Sequence, residues 1–292
     1  MTKAQANGID IEFDVFGDRE NPAIILIMGL GAQMIAWPVK MCNELAESGF
    51  FVVRFDNRDC GLSTKFDSFG VPNIFAGMAG DASTAAYSLI DMADDVVGLM
   101  DFLEVKAAHV VGISMGGMIA QQAVIDHPKR FMSLCSIMAN TGATNVGQPS
   151  PEIITALLKP GGRDRETSIA AELEMSRVIS SERYFDREKA LELVTRSYDR
   201  CFSPDGMIRQ LMAILVSPER TKGLEKIALP TLVIHGLADK LVDPSGGYAT
   251  ASAIPDSKIL TFEGMAHELP EAVWREVRDA IHENIFRAAN RP

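Results

Sequence analysis

Three short stretches hold the residue types that acyl transfer needs. Gly112-Ile113-Ser114-Met115-Gly116-Gly117 sets a serine among glycines, Gly264-Met265-Ala266-His267 sets a histidine late in the chain, and His235-Gly236-Leu237-Ala238-Asp239 sets an aspartate between them. A serine hydroxyl is a poor nucleophile at neutral pH. It needs a base to take its proton, and the base needs an acid to orient it. Ser114 is the candidate nucleophile, His267 the base and Asp239 the acid. The other histidines have quieter roles open to them. His109 enters a strand pattern, His127 precedes Pro128 at a helix end, His235 ends a strand and His282 lies inside a helical stretch. Asp243 is the rival acid, but its place just before Pro244 suits a cap of the following turn or helix. The oxyanion of a tetrahedral intermediate needs two backbone N–H donors. Met115, beside the serine, offers one, and Leu30 in the Gly29-Leu30-Gly31 turn offers the other.

A nucleophilic serine must be held above the sheet edge, and the flanking pattern supplies that support. Ala108 to Val111 reads as a buried strand and Gly117 to Ile125 as a helix without a breaker. A sharp turn between them strains the serine backbone and projects its hydroxyl, while the glycines leave room for strand and helix to approach. The helix N-terminus favours developing negative charge.

The remaining elements follow from periodicity. Ile9, Ile11, Phe13 and Val15 alternate with polar residues as a half-exposed strand near an edge. Ala23 to Met28 is a continuous apolar run, expected of a strand covered on both faces. A helix is expected from Met34 to Ser48, a strand from Phe50 to Phe55, a helix from Tyr87 to Leu103 and a strand from Arg130 to Met138. The alternation means a mostly parallel central sheet with helices on both faces, an α/β fold. From Ala139 to Leu224 no buried strand is expected. Four helical stretches appear instead, at 151–158, 166–179, 187–200 and 205–216, and read as an inserted helical cap. Strands return at Pro230 to His235 and Lys258 to Phe262, and Val273 to Phe286 closes the chain as a helix. Residues 1–138 and 225–292 thus form the expected core domain and 139–224 the cap. The stretch from Phe66 to Met78 is a long loop rich in large apolar residues, able to line a pocket or to tuck under the body.

Composition narrows the function. The 292 residues are 47% hydrophobic and 23% charged, as in globular proteins, and the formal net charge is −11. That charge argues against nucleic-acid binding. No secretory h-region and no apolar run of membrane-spanning length is visible, so a cytoplasmic protein is expected. The cysteines Cys42, Cys60, Cys135 and Cys201 are scattered, as are the histidines, so neither disulfides nor a metal site are expected.

The order Ser, Asp, His and the motifs around Ser114, Asp239 and His267 resemble the α/β-hydrolase superfamily across essentially the whole chain. One position departs: Met28-Gly29 stands where the family usually has His-Gly. Met28-Gly29, Trp37-Pro38, the stretch Arg58 to Ser63 and Gly264 to His267 are similar to aclacinomycin methylesterase-like hydrolases. The resemblance implies an α/β-hydrolase fold and cleavage of methyl or short alkyl esters by a serine carboxylesterase, with no cofactor and a small-molecule ester as partner. It does not extend to the polyketide substrate. A monomer or homodimer is expected. Gly29, Phe66 and Phe75 are the substrate-contact candidates, in a mainly apolar pocket roofed by the cap and the Phe66 loop. Arg58 reads as structural, pairing with local carboxylates. Perhydrolase chemistry on the same triad, or a receptor that retains it without turnover, are the alternatives. Dehalogenase and epoxide hydrolase chemistry need an aspartate nucleophile, and position 114 is serine.

Overall fold

The computed structural model describes residues 2–157, 161–162 and 164–290. The chain opens with a hairpin of β1 (Thr2–Ala6) and β2 (Ile9–Phe16). Its turn is Asn7-Gly8, both with positive φ, the pattern of a tight two-residue hairpin. β1 leaves no strand signal in the sequence, because its inward residues are only Ala4 and Ala6. β2 is therefore covered by β1 and is not an edge strand.

β3 (Ala23–Ile27) and β4 (Phe51–Phe55) flank α1 (Val39–Glu47). The helix expected from Met34 is interrupted. Met34–Ala36 forms a separate 3-10 turn, and Trp37 is extended at φ −74°, ψ 111°. Pro38 is the physical reason: it lacks an N–H and pushes the residue before it out of the helical region. The long loop contains α2 (Ile74–Met78), capped by Asn73. α3 (Leu89–Phe102) begins later than expected, behind a Ser88–Asp91 capping box. β5 (Ala108–Ile113), α4 (Met115–Asp126) and β6 (Phe131–Ile137) follow.

Between β6 and β7 (Thr231–Gly236) the chain inserts α5 (Pro151–Leu157), α6 (Arg165–Ile179), α7 (Arg187–Arg200), α8 (Pro204–Val216) and α9 (Thr221–Leu224). Leu158, expected to end the first of these, lies outside the described residues. Then come α10 (Ser245–Ala253), β8 (Ser257–Phe262) and α11 (Trp274–Ala289).

The described strands form one eight-stranded sheet, in the order β1-β2-β4-β3-β5-β6-β7-β8. Only the β1–β2 and β2–β4 pairs are antiparallel. Alternate residues of each central strand feed different cores. Ile25 and Ile27 of β3 join Met92, Val96 and Leu99 of α3 and Ile119 of α4 on one face. Ile24 and Leu26 join Met41 and Leu45 of α1 and Val277 and Ile281 of α11 on the other. The run AIILIM is uniformly apolar for this reason.

Backbones approach closely around β5 and α4. A Cβ on Gly112 would lie 2.1 Å from the Gly116 carbonyl oxygen, and one on Gly116 would lie 2.2 Å from that of Ile27. Neither obstacle is a side chain that can turn away. Gly116→Ala should therefore lower stability by about 3 kcal/mol or more, since it must move backbone in a packed core. Chemical denaturation of the wild type and the variant measures this. A variant of unchanged stability would mean that α4 is free to slide from β3.

Candidate active site

Ser114 stands at the carboxyl end of β5, as the N-cap of α4. Its backbone is at φ 55°, ψ −121°, a left-handed φ rare for a non-glycine residue. The conformation is held from both sides. The Ser114 N–H donates to the Ile137 carbonyl at 2.9 Å, and its own carbonyl accepts from Gly117 at 2.9 Å and Met118 at 3.1 Å. The hydroxyl sits half-buried at the top of the sheet.

His267 lies on the loop after β8. Its Nε2 is 2.9 Å from Ser114 Oγ, and its Nδ1 is 2.7 Å from Asp239 Oδ2. A carboxylate at Nδ1 holds the proton there and leaves Nε2 free to accept from the serine. Asp239 follows β7. Its Oδ1 accepts the Leu241 and Val242 N–H groups at 2.9 Å each. The loops of acid and base are tied together, with the Ala238 N–H donating to the Met265 carbonyl at 2.9 Å. Asp243 is elsewhere: it is exposed, and its Oδ1 accepts the Ser245 N–H at the start of α10.

Burial by itself would raise the Asp239 pKa. The charge of the His267 imidazolium and the hydrogen bonds from His235, His267 and the Val242 N–H outweigh it and hold the group down to about 2. His235, which the sequence places only at the end of a strand, is fully buried, with Nε2 at 3.4 Å from Asp239 Oδ2 and 2.8 Å from the Val242 carbonyl. The His-Gly-x-x-Asp spacing, which folds the strand end back on itself, was its signal.

The remaining histidines have ordinary partners. His109 contacts Ser133, and burial lowers its pKa to about 4. His127 pairs with Asp94, and His282 stacks edge-on against Phe50.

Gly29 packs against the nucleophile. A Cβ there would lie 3.2 Å from Ser114 Cβ and 3.7 Å from Oγ. Asn57 Nδ2 holds the start of this turn by donating to the Met28 carbonyl at 2.9 Å. The Leu30 N–H and the Met115 N–H at the head of α4 make no hydrogen bond among the described residues. Two unengaged donors beside a half-buried hydroxyl, one at a helix N-terminus, can hold an oxyanion.

Arg58 is structural. It makes two 2.6 Å bonds to Asp95, and burial that would lower its pKa is outweighed by that carboxylate. Phe66 is committed to the same cluster, its ring against Arg58 and Tyr87. Phe75 is 74% exposed. Its loop braces the insert, where Gly77 abuts Met212 and Leu215 of α8.

The insert supplies contacts that no sequence signal announced. Arg209 is buried and grips Asp59 through both carboxylate oxygens at 2.9 and 2.8 Å. Gln210 reaches Gly31, and the His267 N–H donates to the Ile179 carbonyl at 3.0 Å. Among the described residues no cluster of His, Cys, Asp and Glu is placed to hold a metal, and all four cysteines are free thiols.

The depressed Asp239 pKa has a consequence for stability. A carboxylate held below its ordinary value of 3.8 stabilises the fold fully above that pH and loses the contribution as pH falls through about 2. The stability advantage of the wild type over Asp239→Asn should therefore shrink by roughly 2 kcal/mol as pH falls from about 4 to about 2. Urea titrations at a series of pH values test it. A gap that stays constant would mean that the charged carboxylate is not preferentially held.

Comparison with known proteins agrees with this architecture. The family model of the alpha/beta hydrolase fold matches residues 22–271. Rhodomycin D methylesterase DauP of Streptomyces sp. (strain C5) is 28% identical over 288 residues, 91% of either chain. The bifunctional esterase/perhydrolase DCH of Acinetobacter calcoaceticus is 25% identical over 278 residues, 90% of this chain and 91% of that one. A thermophilic esterase from Thermogutta terrifontis superposes with a TM-score of 0.72 at 22% identity, over 97% of this chain and 98% of that one. With the family match running from before β3 to beyond His267, the chain belongs to the α/β-hydrolase fold family.

Proposed function

We propose that this protein is a serine carboxylesterase acting on methyl or short-chain carboxylic esters. One observation carries the reading: the unbroken hydrogen-bond chain from Ser114 Oγ to His267 Nε2 at 2.9 Å and from His267 Nδ1 to Asp239 at 2.7 Å. Ser114 Oγ attacks the ester carbonyl carbon while His267 Nε2 takes its proton. The oxyanion that forms is received by the Leu30 and Met115 N–H groups. Collapse expels the alkoxide, which leaves as the alcohol with the proton from His267, and an acyl-enzyme remains on Ser114. Water then gives its proton to His267, attacks the acyl carbon, and releases the acid and the free serine. Asp239 stays ionised throughout and stabilises the imidazolium.

Methyl or short alkyl groups are supported by the likeness to the methylesterase. Residues 139–224 act in this reading as a cap over the carboxyl ends of the strands, where α/β sheets bind ligands. Its apolar residues favour uncharged esters, since the buried arginines nearby are already paired. The free cysteines suit a reducing, cytoplasmic setting. The likeness to an esterase/perhydrolase favours one side reaction, in which hydrogen peroxide replaces water and the acyl-enzyme yields a peracid.

Ser114→Ala should abolish turnover of a p-nitrophenyl short-chain ester without loss of fold, a loss of several powers of ten in kcat. A phosphonate should label Ser114. Label elsewhere, with the variant still active, sinks the assignment. Asp239→Asn should cost about 10⁴ in kcat, and Asp243→Asn, at the start of α10, little. Equal losses in two folded variants would make the acid wrong. Neutral esters should show higher kcat/KM than anionic esters of equal size, and the reverse order would overturn the apolar pocket.

A further inference from the structure

The turn that carries Leu30 is built by two parts of the chain far apart in sequence. The Ala32 N–H donates to the Gly29 carbonyl at 3.2 Å, closing a four-residue turn with Leu30 and Gly31 at its centre. Gly31 has φ 68° and Leu30 has no positive φ, the combination of a type II turn. Such a turn can convert to type I by rotation of its central peptide, the one joining Leu30 to Gly31. What prevents that rotation comes from the insert. Gln210 of α8 accepts the Gly31 N–H on Oε1 at 2.8 Å and donates from Nε2 to the Arg58 carbonyl at 2.7 Å.

Gln210 is completely buried, so both ends of its amide depend on these partners. Arg58 is itself pinned by two 2.6 Å bonds to Asp95, and neighbouring Arg209 by its fork on Asp59. Gln210 thus links a rigid buried anchor to the Gly31 N–H. The two peptide planes flanking Leu30 are both held, one by the Ala32 N–H and the other by Gln210. In a trans peptide the Leu30 N–H points away from the Gly29 carbonyl. With that carbonyl turned to Ala32, the Leu30 N–H has one fixed direction. Gly29, the preceding residue, lies against Ser114.

We propose that Gln210 is a positioning residue of the oxyanion hole: by anchoring the Gly31 N–H to α8 it fixes where the whole turn sits, and with it the Gly29–Leu30 peptide that presents the Leu30 N–H, so the hole is complete only while α8 is seated on the core. This rests on the serine esterase reading and names a residue that reading does not contain. It also makes the insert part of the catalytic apparatus as well as a cover over it. A donor held a few tenths of an ångström off its line still binds the ground-state ester but serves the oxyanion poorly.

The test compares Gln210→Met with the wild type. Methionine fills a similar volume and offers neither hydrogen bond. The expected result is a kcat lower by about ten- to a hundred-fold with KM changed less than about two-fold. The carbonyl stretch of the acyl-enzyme, read by infrared difference spectroscopy with a ¹³C-labelled acyl group, should move to higher wavenumber, since a weaker oxyanion hole polarises the carbonyl less. Affinity for an alkyl boronic acid should fall in step with kcat. If the methionine variant does not fold, Gln210→Asn, which withdraws the same amide by one methylene, takes its place in all three measurements. A folded variant with wild-type kcat and carbonyl stretch overturns the proposal. So does one whose kcat falls while the stretch stays in place, because a merely structural loss leaves the bound carbonyl unchanged. If the wild type forms no acyl-enzyme on Ser114, the esterase reading fails first, and that outcome is distinct from both.

Discussion

No carbon atom fits between Gly112 and Gly116, and the site depends on that fact. With the strand and helix backbones this close, the chain must reverse over Ser114 in a left-handed conformation, which costs a non-glycine residue on the order of 1–3 kcal/mol. The core bears that cost because the alternative is a separation of α4 from β5, with loss of the contacts of Met115, Ile119 and Ala123 on one face. The strain is local and its product is geometric. The serine side chain points out of the sheet edge, the Met115 N–H is left at the head of a helix, and Gly29 can lie directly against the nucleophile.

Around that point the site is assembled from the loops after β3, β5, β7 and β8, and each loop is fastened to another. Gly236 has no room for a side chain because the Met265 carbonyl occupies the space, which brings the acid loop onto the base loop. The base loop is fastened in turn to the insert. The Ile179 carbonyl accepts the His267 N–H, and Glu268, the next residue, receives both the hydroxyl and the N–H of Ser181 at 2.7 and 3.0 Å. Burial raises the Glu268 pKa more than those two bonds lower it. The imidazole is thus oriented by Asp239 at its ring and by the insert at its backbone.

The seam between insert and core carries buried ion pairs beside its apolar contacts. Arg209 bridges Asp59 and Asp67, Tyr87 donates its hydroxyl to Asp59 at 2.7 Å, and Arg200 meets the buried Asp56 at 2.7 Å. Charges taken out of water gain little net stability from one another, but removing one partner strands the other at a cost of about 3–5 kcal/mol. A seam of this kind fixes one seating of the insert more sharply than it strengthens it. Apolar contacts tolerate a sliding shift of an ångström, and a two-pronged guanidinium on a carboxylate does not.

Much of this is legible in the sequence. Ser114, Asp239 and His267 stand out because each falls at the end of a strand pattern, and the doubly covered sheet follows from runs such as AIILIM that have no polar face. These are local properties, set by side-chain periodicity and by the special backbone freedom of glycine. Elsewhere the local signals are weak or in conflict. Two alanines were too small to announce β1, and Pro38 overrode an otherwise helical stretch. Only the tertiary structure decided what depends on residues far apart in sequence. Gln210 and Gly31, Arg209 and Asp59, and His267 and Ile179 have partners that no spacing encodes, and Phe66 was drawn to Arg58 and Tyr87 by a cluster visible only once the chain is folded. An amide or guanidinium inside an amphipathic helix looks alike in sequence whether it faces water or a buried carbonyl. Its partner is chosen by how the helices of the insert seat on the sheet.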